Sequence, residues 1–204
     1  MPFIAFLGCD GSGKSAVLDR VTERARDVGL EVVRGHWRPR AIGNRNAEDA
    51  AGHAGTPHDQ EPRGTLSSVI KLGWLWVNWW MGWWKHLGRQ SKHGLVLFDR
   101  YHADILVDPR RYRYGGSPLL ARIASRLMPQ PDLVFFLDAA PEVLLSRKQE
   151  VSLEALEKSR AAYLKLAASH SRFRIIDASR PLDQVVEEVF GKIEEIMTLG
   201  EDFE

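Results

Sequence analysis

Residues 3–15 read FIAFLGCDGSGKS, and the seam in the middle of that stretch decides the fold. Phe3–Leu7 is an unbroken apolar run of strand length, and Gly8-Cys-Asp-Gly-Ser-Gly-Lys-Ser15 fits G-x-x-x-x-G-K-[ST] in full. A buried strand that gives way to glycines and then to a helix gathers backbone N–H groups around one concavity. Gly8, Gly11 and Gly13 permit the backbone angles that turn amides inward, and the amides of residues 11–16, including Ser12 and Ala16, would wrap phosphate oxygens. The helix opening near Lys14 adds its positive dipole end. Lys14 would neutralise the β and γ phosphates of ATP, and the Ser15 hydroxyl would hold a Mg²⁺ ion that keeps several waters.

Outward from this seam, further strand-length runs occur at Glu31–Arg34, Leu95–Phe98, Leu133–Leu137 and Arg174–Ile176. Helix-period stretches cover about Lys14–Val28, Leu66–Gln90, Ser117–Leu127, Pro141–Arg147, Leu153–His170 and Leu182–Met197. Alternation of this kind predicts parallel strands joined by crossover helices, because parallel neighbours need a long return path. The expected architecture is α/β. With 204 residues, 44% of them hydrophobic, one domain with a full core is the default.

Lys and Arg total 28 against 27 acidic residues, so bulk charge gives no argument for a nucleic-acid polymer or an anionic membrane as partner. The single cysteine, Cys9, rules out an intramolecular disulfide and suits a reducing compartment. The N-terminal MPFIAFLG lacks the basic segment, long apolar core and cleavage site of a secretory signal, which leads to the expectation of a cytoplasmic protein. Cys9 lies inside the glycine-rich loop, so a bulky thiol reagent is expected to block ATP binding.

Two stretches break the pattern. Residues 40–64 are polar, Gly- and Pro-bearing and without apolar period, which reads as a long mobile loop. Leu72–Leu87, LGWLWVNWWMGWWKHL, holds six of the seven tryptophans, yet its apolar portion is shorter than the roughly 20 residues of a membrane span. A helix apolar nearly all round is buried on several sides, and core packing plus a homodimer contact is the expected use of most of these rings.

A glycine-rich loop alone does not separate ATPase, GTPase and kinase. The run LVLFD ends in Asp99, an arrangement that sets a carboxylate near Mg²⁺, and Arg100 comes at once after it with a charge suited to phosphate. A second such run, VFFLD, ends in Asp138, which lacks that neighbour and reads as structural. No Asn-Lys-x-Asp guanine-reading motif occurs.

Taken together, these segments resemble the thymidylate kinase family of P-loop nucleoside monophosphate kinases. FLGCDGSGKS resembles its phosphate loop, Asp99-Arg100-Tyr101 its DR(Y/H) motif, and residues 131–147, 160–167 and 175–189 its later strands, lid entry and last helix. The resemblance implies a three-layer P-loop kinase fold around a five-stranded parallel sheet, ATP with Mg²⁺, and a homodimer. Carried over by position, Arg100 would contact the acceptor or transferring phosphate, with Tyr101 beside it, and Asp99 would support the metal-water shell. Asp10 would read an acceptor sugar hydroxyl. Arg147, with Lys148 and Arg160, would supply lid cations over a short lid at 147–159, and Ala178 and Pro181 would lie against adenine.

The acceptor half departs from the family pattern. Where relatives carry an Arg-Glu-Pro-Gly-Gly-Thr-like segment, this chain has Arg34-Gly-His-Trp-Arg-Pro-Arg40. Trp74 and Asn78 stand where a thymine-stacking Phe and an Arg are expected. His36, Trp37, Arg38, Trp74 and Asn78 are therefore the candidate acceptor contacts, through ring stacking, forked hydrogen bonds and proton abstraction. If the acceptor atom belongs to a phosphate, no general base is needed; if it is a hydroxyl, Asp10 or His36 is the candidate base. Three readings stay open: a kinase of a small acceptor such as a nucleoside monophosphate other than dTMP, a kinase of a sugar or glycan hydroxyl, and a nucleotide-binding module without turnover.

Overall fold

The computed structural model describes residues 2–36, 64–82, 94–109, 114–149 and 151–201. The chain forms two compact units, one drawn from residues 1–37, 91–101 and 130–204, the other from 38–90 and 102–129.

The first unit contains the sheet. Its strands are β1 (Phe3–Leu7), β2 (Glu31–His36), β3 (Gly94–Asp99), β4 (Leu133–Asp138) and β5 (Phe173–Asp177), all parallel in the order β2-β3-β1-β4-β5. Its helices are α1 (Lys14–Asp27), α5 (Pro141–Arg147), α6 (Leu153–Ala168) and α7 (Leu182–Glu201). The five-stranded parallel sheet with flanking helices expected from the alternation is present. β1, β3 and β4 are the most buried strands, with Ile4, Phe6, Leu95, Leu97 and Phe135 at 0% exposure. Removing such a side chain from water stabilises the fold by about 1.5–3 kcal/mol each, which explains why these runs read as continuous apolar segments rather than alternating ones.

Central placement of β1 fixes where the phosphate loop lies. The register of β1 with β3 pairs Phe6 with Asp99, and with β4 pairs Leu7 with Phe136. The residues just past β1 therefore lie between the carboxyl ends of β3 and β4, at the switch point where ligands bind in open α/β sheets. On the outer surface, Arg24 of α1 lies 4.5 Å over the Phe190 ring and forks onto Glu187 of α7.

The second unit contains α2 (Thr65–Gly82), the one-turn α3 (Asp104–Val107), which periodicity missed, and α4 (Pro118–Arg126). Ser117 caps α4, accepting from the Leu119 amide, with Pro118 in the first helical turn. α2 buries Ser68, Leu72, Leu75 and Asn78 and turns Val69, Ile70, Trp74 and Val77 outward. In α4 Ala121 and Ser125 are buried while Leu119, Leu120 and Ile123 are exposed, and just past its end Leu127 is exposed and Met128 buried. Among the described residues no helix is long and apolar enough to cross a membrane. The expected continuation of α2 beyond residue 82 and the loop 40–64 up to residue 63 lie outside the described residues.

Candidate active site

The loop between β1 and α1 has the backbone that its glycines predict. Gly11 and Gly13 adopt φ of 85° and 80°, a region that costs other residues about 1–2 kcal/mol. Gly11 is also required sterically, since a Cβ there would lie 2.6 Å from the Leu144 carbonyl of α5. Gly8 meets the end of β4, where a Cβ would come within 2.8 Å of the Leu137 carbonyl. Lys14 is buried and folds back along the loop, its Nζ donating to the carbonyls of Gly8 at 2.8 Å and Cys9 at 2.7 Å and to Ser12 Oγ at 3.3 Å. Ser15 and Ala16 are exposed at the start of α1.

Cys9 is enclosed within the same loop. Its side chain is 6% exposed, and burial pushes the thiol up to about 11. A buried, protonated sulfur is a poor nucleophile, so a thiol reagent meets a slowly reacting group in the native loop.

β3 delivers the next two groups. Asp99, its last residue, has a buried Oδ1 without a hydrogen-bond partner. A buried, unmatched carboxylate oxygen is costly and calls for a ligand. Its chemistry fits the water shell of a hard cation, which Asp99 and Ser15 would hold. Arg100 comes next with φ of 63°, the one non-glycine residue among those described with positive φ. That backbone is held by the Arg100 amide donating to the Phe6 carbonyl at 3.0 Å, and the guanidinium donates through Nη2 to Asp10 Oδ1 at 2.7 Å. Both side chains of this pair are largely buried. A left-handed backbone of this kind costs a non-glycine residue about 1–3 kcal/mol, and these contacts hold it.

Tyr101 follows Arg100 at the end of β3. It is 1% exposed, and its ring packs edge-on against Phe3 at 5.2 Å and Phe98 at 6.1 Å. This packing helps fix the end of β3.

On the β4 side, Asp138 receives a two-pronged contact from Arg160 of α6, Nε to Oδ1 at 2.7 Å and Nη2 to Oδ2 at 2.8 Å. The Asp138 carbonyl accepts from the Ala178 amide at 2.7 Å. Arg147 donates through Nη1 to the Ala178 carbonyl at 2.9 Å, so this expected lid cation is tied to the segment expected beside adenine. Pro181 opens α7, its carbonyl accepting from the Gln184 and Val185 amides.

His36 ends β2 in register with Asp99. Trp74, 54% exposed, and Asn78, buried with Oδ1 unmatched, belong to the second unit. Trp37 and Arg38 lie outside the described residues. The Asp138–Arg160 fork was missed at the sequence level. An acid ending a strand beside the loop, with an arginine on the next long helix, was its only signal.

A five-stranded parallel sheet with a glycine-rich loop and its lysine at the switch point, beside Asp99 and Arg100 of the neighbouring strand, is an α/β architecture consistent with a P-loop kinase fold. The family model described as thymidylate kinase matches residues 83–189, just over half of the chain. A thymidylate kinase of Ligilactobacillus salivarius (strain UCC118) is 28% identical over 214 aligned positions, covering 96% of this chain and 98% of that protein. The chain belongs to the thymidylate kinase family. It is an ATP-dependent kinase.

Proposed function

We propose that the whole chain works as one P-loop kinase domain that transfers the γ-phosphate of ATP to a small acceptor already carrying a phosphate, of the nucleoside monophosphate class but other than dTMP. The buried Asp10–Arg100 pair supports this most. A guanidinium held beside the phosphate loop by a carboxylate is suited to neutralising phosphate charge. Asp10, engaged with that guanidinium, is then an orienting group rather than a base, as a phosphate acceptor requires. Trp74 and Asn78 in place of the expected Phe and Arg support an acceptor other than dTMP.

Lys14 and Arg100 set charge against the phosphates, and the amides of Gly11, Ser12, Gly13, Ser15 and Ala16 hold them. Ala178 and Pro181 flank adenine, with Arg147 braced on the Ala178 carbonyl. Mg²⁺, when held by Ser15 and the Asp99 water shell, supplies positive charge against the β and γ phosphates. Cytoplasmic placement and a homodimer belong to the same proposal. The outward apolar faces of α2 and α4 support a second copy seated on the Trp-rich helix, because large exposed apolar patches mark interaction surfaces.

ADP release measured with a panel of nucleoside monophosphates, dTMP and free sugars tests the acceptor. Turnover with a monophosphate other than dTMP is expected. Brisk turnover of dTMP alone, or of a sugar hydroxyl alone, overturns the acceptor class. Lys14→Ala should abolish turnover with the fold intact, and a protein inactive with every acceptor would be a nucleotide-binding module. Asp99→Asn should lower the Mg²⁺-dependent rate by about 100-fold without loss of melting temperature.

A further inference from the structure

We infer that Asp138 is a positioning residue: it aims Arg160 at the terminal phosphate of the nucleotide held by the loop. The inference rests on the loop binding ATP phosphates, and it gives Asp138 a role that the sequence alone did not.

The placement begins with strand pairing. Leu7 is in register with Phe136, and Gly8 lies against the Leu137 carbonyl, so Asp138 stands beside Cys9 at the loop. The electrostatic influence of both Asp138 on Cys9 and Cys9 on Arg160 agrees with that proximity. A lone carboxylate at this place would repel the phosphates the loop is built to receive. Arg160 reverses that effect. It binds Asp138 side-on through Nε and Nη2, and in a planar guanidinium this leaves Nη1 projecting away from the carboxylate.

The fork is held from both ends by rigid elements. Asp138 ends β4 and its carbonyl is fixed by the Ala178 amide at 2.7 Å. Arg160 lies within α6, and one turn later Tyr163, 3% exposed, stacks on Phe136 of β4 with ring centroids 5.0 Å apart. That contact locks the helix to the strand two residues before Asp138, so Arg160 cannot drift along it. The Arg160 side chain nevertheless retains 35% exposure, as a group that meets a ligand must. The loop is thus flanked by two aspartate-arginine pairs, Asp10–Arg100 on the β3 side and Asp138–Arg160 on the β4 side. Arg147 is occupied elsewhere, on Ala178.

The test is displacement of a fluorescent ATP analogue from the full-length protein by ATP and by ADP. Wild type, Asp138→Asn, Arg160→Gln, Arg160→Lys and the Asn/Gln double variant are compared. Each single variant should weaken ATP by roughly tenfold and ADP by less than about threefold. The double variant should be no weaker than Arg160→Gln, because Asp138 acts through Arg160. Arg160→Lys keeps the charge but loses the fork, and should behave like Gln. The inference is overturned if the variants leave the ATP/ADP ratio unchanged, if the two single effects multiply, or if Arg160→Lys binds ATP normally. Should Asp138→Asn fail to fold, Arg160→Lys alone decides by the same criterion. A wild-type protein indifferent to ATP would overturn the loop reading itself, whereas ATP binding untouched by these variants overturns only the roles of Asp138 and Arg160.

Discussion

Labelling of Cys9 is the most direct probe of how the phosphate loop is folded. Burial raises its thiol from an ordinary 9.0 to about 11. At pH 8 the thiolate fraction is then about 0.1% instead of about 10%, roughly a hundredfold loss of nucleophile before the 6% exposure of the side chain is counted. A chromogenic aromatic disulfide should therefore react with the native protein at least about 100-fold more slowly than with the same protein in guanidinium. The sign of the accompanying stability effect is set by the raised value. Protonated Cys9 favours the folded chain fully below pH 9, and that contribution is lost as pH rises through 11, by up to about 2.7 kcal/mol. Native labelling within tenfold of the unfolded rate would refute the reasoning. It would mean that the sulfur is not enclosed in the loop, and the Lys14 contacts to the Gly8 and Cys9 carbonyls would fall with it.

Other expectations rest on single contacts. Gly35→Ala would drive a Cβ to 2.2 Å from the Phe98 ring and should cost about 1–3 kcal/mol in chemical denaturation; a change below about 0.5 kcal/mol would argue against that packing. Asn78→Leu removes a buried, unmatched Oδ1 and should raise stability by about 1 kcal/mol, so a lowered melting temperature would show that this oxygen is bonded. Burial pushes the His102 imidazole from 6.5 down to about 3, so its contribution is present above pH 6.5 and lost as pH falls toward 3. Between pH 6.5 and 5 that is about 2 kcal/mol in urea unfolding, and a folded His102→Asn variant should lack the increment. If wild type and variant lose stability in parallel, the imidazole is not the cause.

The donor half was legible because its signals are local. A strand, three glycines, a lysine and a helix start occupy adjacent positions, and the apolar runs that became β1, β3 and β4 admit no other use when buried on both faces. What sequence missed depends on contacts between distant segments. Tyr101 comes directly after Arg100 and packs into the core because Phe3 and Phe98 stand beside it. Cys9 sits in a loop and is nevertheless enclosed. Asp138 looked inert until α6 placed Arg160 on it, 22 residues away. α4 shows the limit of periodicity: a helix period over Ser117–Leu127 does not say that Leu119, Ile123 and Leu127 face outward while Ala121 and Ser125 face in.

The left-handed turn at Arg100 has a consequence for how this enzyme acquires competence. Its amide prolongs the ladder between β3 and β1, so the direction of its guanidinium depends on those strands staying paired to their ends. Damage that merely unzips the last rung should silence the protein while its spectroscopic signature of folding persists, and inactivation should precede melting.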